Sequence, residues 1–178
     1  MSESAQVLGE VILTEDAIRA KVEGLSAQIT ADYEGKRPLL IGVLKGAFIF
    51  MADLCRGIEL PIEFDFMAVA SYGAATQSSG VVRILKDLET EISGRDVIIV
   101  EDIISSGLTL SYLRRVLQTR NPASLEICAL LVKEGAMVED IPIRYTGFSI
   151  PPKFVVGYGL DIGERYRNLP YLALLSEK

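Results

Sequence analysis

Two adjacent carboxylates stand directly in front of a small-residue turn in the middle of the chain. Glu101 and Asp102 follow the apolar run DVIIV, and the segment SSGLT occupies positions 105–109. Small hydroxyl residues and a glycine at the start of a helix can hold a phosphate, because unpaired backbone N–H groups and the helix dipole both face the anion. The segment 101–109 therefore predicts a phosphate site with carboxylates beside it.

Two further positions place charged residues at the ends of apolar runs. Lys45 and Gly46 follow the run 38–44, so a cation and a side-chain-free amide can approach a phosphate together. The run FVVGYGL is followed by a cluster of charged residues: Asp161, Glu164, Arg165 and Arg167. Each position alone has an ordinary explanation, as a helix cap or a solvated strand end. Together they match what a ribose phosphate carrying a metal-bound diphosphate requires.

Composition and motif spacing remove several other kinds of chemistry. The chain has no histidine, which excludes Ser-His and Cys-His nucleophiles and histidine-containing zinc sites. Lys and Arg number 18 against 24 Asp and Glu, and the resulting net charge of -6 argues against a broad face for binding nucleic acid. No Gly-x-x-x-x-Gly-Lys-Ser/Thr motif occurs, and Gly157, Gly159 and Gly163 lack the spacing of the dinucleotide fingerprint.

The elements that must position these residues alternate between strands and helices. Thr14 can cap a helix whose apolar side chains recur every three or four residues: Ile18, Val22, Leu25, Ile29 and Tyr33. The continuous apolar runs 38–44 and 96–101 are typical of strands covered on both faces of a parallel sheet. The remaining predicted elements are strands at 10–13, 62–70, 81–86, 125–132 and 154–160, a helix at 46–56, and a helix with Leu110, Leu113 and Leu117 on one face that closes near Asn121-Pro122. This order predicts an α/β domain with a mainly parallel sheet flanked by helices.

Length and composition predict one domain over the 178 residues. We expect residues 1–9 to form a frayed tail and the small-residue segment 71–80 to form a mobile loop. The apolar segment 39–54 could serve as an oligomer interface, but burial inside a single chain would explain the same pattern.

Cysteine usage and the N-terminal sequence point to one compartment. Cys55 and Cys128 each lie in an apolar stretch and are predicted to be small buried residues in a reducing environment. The start MSESAQVLGE has neither the basic nor the apolar region of a secretory signal, and Lys45 and Asp53 interrupt the most apolar run. We therefore expect a cytoplasmic protein with neither a membrane nor a nucleic-acid partner.

Several motifs, taken in order, resemble one family. The stretch VIIVEDIISSGLTL is similar to the signature of the type I phosphoribosyltransferases, and GVLKGAFIF, the SYG loop, ALLVK and FVVGYGLDIGERYRNLPY resemble further segments of its purine-salvage members. The resemblance implies a type I phosphoribosyltransferase-like core of mainly parallel sheet, a small hood subdomain built from the two chain ends, Mg²⁺, and a homodimer or homotetramer. The implied reaction converts hypoxanthine or guanine and 5-phosphoribosyl 1-diphosphate to IMP or GMP and diphosphate, and the preference among hypoxanthine, guanine and xanthine stays open.

The resemblance also implies a role for each matching residue. Diphosphate contacts fall to Lys45, Gly46 and Arg167, with a non-proline cis bond before Lys45. Glu101 and Asp102 match the ribose and metal-region carboxylates, and Asp161 matches a Mg²⁺ ligand near the purine. The phosphate loop comprises Ser105, Ser106, Gly107, Leu108 and Thr109. Purine contacts fall to Lys133, which donates to the 6-oxo group, to the ring of Phe154 and to the backbone of Val155, and Ser71 and Tyr72 match the tip of a closing loop. Core packing is the alternative explanation for Phe154.

Ser105 departs from the family pattern. The family places an aspartate at this position, as a general base for the purine ring nitrogen, whereas a serine hydroxyl cannot act as a base without a partner. Three explanations stay open: an engineered substitution that lowers turnover, a natural enzyme in which Asp102 or solvent takes over, and a non-catalytic or regulatory nucleotide-binding module on the same fold. The matches at Lys133, Phe154, Asp161 and Arg167 favour the first two.

Overall fold

The computed structural model describes residues 7–71 and 82–176. Three helices and nine strands are present in these two segments. They are β1 (Val7–Leu13), α1 (Glu15–Asp32), β2 (Leu39–Leu44), α2 (Phe48–Gly57), β3 (Glu63–Ser71), β4 (Val82–Lys86), β5 (Asp96–Ile104), α3 (Leu108–Gln118), β6 (Ser124–Lys133), β7 (Tyr145–Ile150), β8 (Val155–Val156) and β9 (Leu172–Ser176).

Six strands form the main sheet, in the order β4-β3-β2-β5-β6-β7. All neighbours are parallel except β3 and β4, which run antiparallel. β2 and β5 lie at the centre because their unbroken apolar runs can be covered on both faces. Ile98 and Val100 of β5 pack toward α1 and α2, whereas Val97 and Ile99 pack toward α3. The predicted α/β class with a mainly parallel, helix-flanked sheet is confirmed.

Helix α1 forms for the reasons that its sequence suggests. Thr14 Oγ1 accepts a hydrogen bond from Ala17 N at 3.2 Å, and two acidic residues in the first turn complement the positive end of the helix dipole. The predicted apolar face is buried against the sheet: Ile18, Val22, Leu25, Ile29 and Tyr33. The helix ends at Asp32, just before Gly35, whose φ of 75° suits the turn that follows.

Buried Asp65 of β3 ties the β4–β5 turn to the sheet. Its carboxylate accepts hydrogen bonds from three backbone N–H groups, those of Phe66, Glu89 and Thr90, at 2.7, 2.8 and 2.9 Å. Burial alone would raise the pKa of Asp65, but these N–H groups hold it below its usual value.

A second, three-stranded sheet in the order β1-β9-β8 joins the two ends of the chain. Val7 pairs with Ser176 and Leu8 with Leu175, so the predicted tail of residues 1–9 is wrong for residues 7–9. The predicted strand at 154–160 is also wrong in extent, since only Val155–Val156 is a strand and Gly157, Tyr158 and Gly159 all have positive φ. Local patterns miss both features because the pairing partner, β9, lies at the far end of the chain.

Other predicted boundaries change by a few residues. β5 continues to Ile104, and β7, which the sequence did not predict, forms an edge strand of the main sheet.

Segment 39–54 is largely buried within the chain: Leu39, Leu40, Ile41, Phe50 and Leu54 are at most 1% exposed. Both cysteines are free, Cys128 buried and Cys55 half-buried. Within the described residues no helix has the length and apolar character needed to cross a membrane.

Candidate active site

Backbone packing brings three predicted site segments together at one edge of the main sheet. A Cβ added to Gly46 would overlap Asp102 Oδ2 and lie 2.8 Å from Asp102 Cγ. A Cβ added to Gly159, where φ is 100°, would overlap the carbonyl oxygen of Gly46. The ends of β2 and β5 and the segment after β8 therefore meet in van der Waals contact, and glycine is required at both points of closest approach. Sequence reasoning assigned no role to Gly159, although its place in the run VVGYGLD was visible.

The end of β2 has the geometry expected from the resemblance. The Leu44–Lys45 peptide bond is cis. The Lys45 side chain is 67% exposed, and its Nζ lies 3.1 Å from Glu164 Oε2. An exposed cation and the amide of the adjoining glycine therefore lie together at this edge of the sheet, an arrangement that suits a phosphate group.

Glu101 and Asp102 are the two buried carboxyls of the site, with exposures of 8% and 9%. Burial raises the pKa of Asp102 to about 6, against the lowering effect of the Ile103 N–H, which donates to Asp102 Oδ1 at 2.7 Å, and of Arg167. Burial, followed by the neighbouring charge of Asp102, also raises the pKa of Glu101 well above its usual value. Burial therefore disfavours the charged form of both carboxyls, and a cation or a hydroxyl donor brought to them would stabilise that form.

The segment 105–109 forms a small cavity at the start of α3. Its volume is about 160 Å³, and it is lined by Glu101, Ile103, Ile104, Ser105, Ser106, Gly107, Thr109 and Leu110. Gly107, with a φ of 80°, precedes the helix and has no side chain to cap it, and Leu108 N donates to Ser106 Oγ at 3.4 Å. Val138 N donates to Ser106 O at 3.0 Å, which holds the turn in place from the β6–β7 connection. First-turn N–H groups of a helix have no partner within the helix, so this turn is suited to a phosphate.

The predicted purine-binding residues lie at the end of β6 and after β7. Lys133 is paired in register with Ile150, and Phe154 follows four residues later. Lys133 forms no ion pair with any described residue. Phe154 is 51% exposed, so the alternative that its ring packs in the core is wrong. Val155 is buried and paired with Leu174, which fixes its backbone in the three-stranded sheet β1-β9-β8, the hood that the resemblance implied.

Arg167 is held by several acceptors at once. Its Nη1 donates to Gly159 O at 2.7 Å, and its Nη2 lies 2.9 Å from Asp161 Oδ1 and 3.1 Å from Glu164 Oε1. The side chain is only 20% exposed. Glu164 therefore contacts both Lys45 and Arg167. The sequence placed Glu164 among charged residues but did not predict these contacts.

The carboxylates do not form a metal site by themselves. Among the described residues there is no group of three or more Asp, Glu, Cys or His side chains arranged to hold a metal ion, so Glu101, Asp102 and Asp161 do not make a protein-only cage. Asp161 is nevertheless close enough to Asp102 to raise its pKa. Mg²⁺ usually uses one or two carboxylates together with substrate phosphates and water, and oxygen donors of this kind fit that use.

The predicted closing loop falls largely outside the described residues. Ser71 is the last residue of β3, and neither its side chain nor Tyr72 and the following residues to 81 are described.

Comparison with known proteins identifies relatives over most of the chain. The family model of the phosphoribosyl transferase domain matches residues 10–162. A hypoxanthine-guanine phosphoribosyltransferase of Mycobacterium tuberculosis is 54% identical over 174 residues, which cover 94% of this chain and 86% of that protein. The hypoxanthine-guanine phosphoribosyltransferase of Bacillus subtilis is 52% identical over 167 residues, covering 94% of this chain and 93% of that protein.

Solved structures show the same similarity in three dimensions. A hypoxanthine-guanine phosphoribosyltransferase of Bacillus anthracis matches with a TM-score of 0.92 and 42% identity, over 96% of this chain and all (100%) of that chain. A hypoxanthine phosphoribosyltransferase of Staphylococcus aureus matches with a TM-score of 0.92 and 47% identity, over 95% of this chain and 92% of that chain.

Proposed function

The chain belongs to the phosphoribosyl transferase domain family, and from this membership we propose that it is a purine-salvage phosphoribosyltransferase. It converts hypoxanthine or guanine and 5-phosphoribosyl 1-diphosphate to IMP or GMP and diphosphate. The observation that supports the proposal most directly is the contact of Gly46 with Asp102 and Gly159, because it joins the ends of β2 and β5 to the segment whose Gly159 O accepts from Arg167.

The donor is bound along the edge formed by β2, β5 and α3. The turn 105–109 holds the 5-phosphate through backbone N–H groups at the start of α3. Lys45, the amide of Gly46 and Arg167 bind the diphosphate. Glu101 and Asp102 accept hydrogen bonds from the ribose hydroxyls, which offset the cost of keeping these two buried carboxyls charged.

We propose Mg²⁺ as the cofactor, which Glu101, Asp102 and Asp161 would hold together with oxygens of the donor. When bound, the ion offsets the charge that develops on the leaving diphosphate. Arg167 adds positive charge from the chain itself beside the leaving diphosphate, and Asp161 and Gly159 O hold its guanidinium in a fixed orientation.

The purine is bound between the hood and the end of β6. The exposed ring of Phe154 offers a stacking surface, and backbone groups near Val155 reach the edge of the base. The Lys133 ammonium can only donate, so it favours a 6-oxo over a 6-amino group. This choice of donor supports hypoxanthine and guanine as substrates over adenine.

Position 105 determines how fast the reaction proceeds. Ser105 is exposed and provides no carboxylate to take the proton from the purine ring nitrogen. We propose that binding is intact and that turnover is reduced, with solvent or Asp102 taking the proton.

A direct assay tests the function. The purified chain is incubated with hypoxanthine or guanine, 5-phosphoribosyl 1-diphosphate and Mg²⁺, and nucleotide formation is followed by absorbance and by diphosphate release. Formation of IMP or GMP, with adenine unreactive, is the expected result. Nucleotide binding without turnover, even at high protein concentration, would instead indicate a nucleotide-binding module.

We also propose that the chain forms a homodimer or homotetramer. Phe48 at the start of α2 and Phe64 on β3 are 49% and 60% exposed, and burying these rings against a second copy of the chain would favour association. The mass in solution, measured by light scattering, tests this, and the mass of a single chain would contradict it.

A further inference from the structure

The two cations assigned to diphosphate share one carboxylate in the free protein. Glu164 Oε2 lies 3.1 Å from Lys45 Nζ, and Glu164 Oε1 lies 3.1 Å from Arg167 Nη2. Each oxygen of a single carboxylate therefore contacts a different cation, one at the end of β2 and the other in the segment after β8. In the proposed function, oxygens of the diphosphate contact these same two cations.

The backbone at Glu164 is held in a conformation that suits glycine better. Ile162 and Arg165 exchange backbone hydrogen bonds of 3.2 and 3.1 Å around a two-residue turn. The turn residues Gly163 and Glu164 both have positive φ, 56° and 65°, as in a type I′ turn. A glutamate in the left-handed region is strained, and strain of this kind is usually retained where the residue has a role.

Glu164 is not needed to hold Arg167 in place. Gly159 O and Asp161 Oδ1 contact the Arg167 guanidinium at 2.7 and 2.9 Å, and the Arg167 side chain is only 20% exposed. The Glu164 side chain is 63% exposed, so it can leave the cluster for solvent while Arg167 stays oriented. The contact is therefore a replaceable one, in which the carboxylate can give way to another anion.

We propose that Glu164 is an intramolecular competitor of diphosphate. Its carboxylate occupies Lys45 and Arg167 in the free protein, yields them to the diphosphate of the donor, and returns to them as the diphosphate product leaves. Glu164 thus lowers affinity for diphosphate and speeds its release. This inference rests on the proposed function, which assigns both cations to diphosphate.

The test is the affinity for inorganic diphosphate in the presence of Mg²⁺, measured by calorimetry, with its dissociation rate measured by stopped flow. An exposed ion pair shifts an equilibrium by up to about fivefold. Glu164→Gln removes the ion pairs to Lys45 and Arg167, so this variant should bind diphosphate about three- to tenfold more tightly and release it more slowly by a similar factor. A loss of structure would weaken binding, so a gain in affinity separates competition from damage. Equal or weaker binding by Glu164→Gln would overturn the inference.

Two further variants separate displacement from a general charge effect. Glu164→Asp keeps the charge but is too short to reach both cations, so it should tighten binding by less than Glu164→Gln. An affinity equal to that of the unchanged chain would show that only the field of the carboxylate matters and would overturn displacement. Glu59→Gln makes the same change in net charge at an exposed site at the end of α2, and it should leave diphosphate affinity unchanged. A gain there equal to that of Glu164→Gln would also overturn the inference.

A double-mutant cycle tests the contact itself. In a Lys45→Met background one of the two cations is absent. The gain in diphosphate affinity from Glu164→Gln, expressed as a logarithm, should then be less than half of the gain measured with Lys45 present. An undiminished gain would contradict the assignment. If the unchanged chain binds neither diphosphate nor 5-phosphoribosyl 1-diphosphate, the proposed function fails first and the inference fails with it.

Discussion

Substitution of Gly46 by alanine tests the packing that assembles the site. The added Cβ would overlap Asp102 Oδ2 and lie 2.8 Å from Asp102 Cγ, and the overlapped group is a buried carboxylate with little freedom to move. Relief requires the carboxylate to rotate away from Ile103 N, which now donates to it at 2.7 Å. Overpacking and the loss of this charge-assisted hydrogen bond together predict a loss of about 3 to 5 kcal/mol in the free energy of unfolding.

The same displacement should reach the chemistry. Because Asp102 would leave its proposed place beside the ribose and diphosphate, kcat/KM for 5-phosphoribosyl 1-diphosphate should fall by about a hundredfold or more, which corresponds to roughly 2.7 kcal/mol at 1.36 kcal/mol per tenfold. KM for the purine should change less, since Lys133 and Phe154 lie on other elements. Urea denaturation and steady-state kinetics measure the two effects.

Gly24 provides a matched control. It lies within α1, and a Cβ added there would meet nothing within 4 Å. Gly24→Ala should therefore stabilise the chain by about 0.5 to 1 kcal/mol through helix propensity, without changing kcat/KM. If Gly46→Ala behaves like Gly24→Ala, the close approach of Gly46 to Asp102 does not shape the site and the reasoning is refuted.

Three further predictions concern catalysis, base binding and pH. Ser105→Asp should raise kcat by at least tenfold with little change in donor affinity, because general base assistance is worth about 10²- to 10⁴-fold, and an unchanged or lower rate would show that the aspartate role does not apply here. Phe154→Leu should raise KM for the purine about tenfold while KM for the donor stays within twofold, because stacking contributes about 1 to 3 kcal/mol per base; equal effects on both would argue against stacking. Asp65→Asn should lower the free energy of unfolding by about 1 to 3 kcal/mol at neutral pH. Since the folded-state pKa of Asp65 is lowered, its contribution is present above its usual pKa and is lost as pH falls through the folded-state value, so urea midpoints of the two chains should converge in acid.

The fold could be predicted from the sequence where local signals determine it. The cap at Thr14 and the spacing of apolar side chains located α1, and the unbroken apolar runs located β2 and β5 at the centre of the sheet. The hood could not be located by such signals, since β1 pairs with β9 from the opposite end of the chain. β8 is only two residues long, and its pattern continues into residues whose positive φ ends the strand.

The candidate site divides in the same way. Residue types at strand ends and the resemblance to a family identified the charged and phosphate-binding positions. They did not show that Glu164 bridges Lys45 and Arg167, because that contact depends on the turn at Gly163 and Glu164 and on the approach of Gly159 to Gly46. Backbone approach of this kind leaves little trace in residue types beyond the glycines themselves.

The positions that we propose to bind the donor are packed more tightly than Ser105, the position at which the sequence analysis expected an aspartate. Gly46 lies against both Asp102 and Gly159, so a change at Gly46 or at either neighbour disturbs the packing between them. Ser105 is exposed at the mouth of the phosphate turn, where a different side chain meets solvent more than protein. A serine at 105 is therefore compatible with the fold of a chain that is 54% identical to a hypoxanthine-guanine phosphoribosyltransferase, and its proposed effect is on the chemical step alone. For the same reason, Ser105→Asp should leave the free energy of unfolding within about 0.5 kcal/mol, as is usual for surface substitutions, so that its effect on kcat reports proton transfer alone.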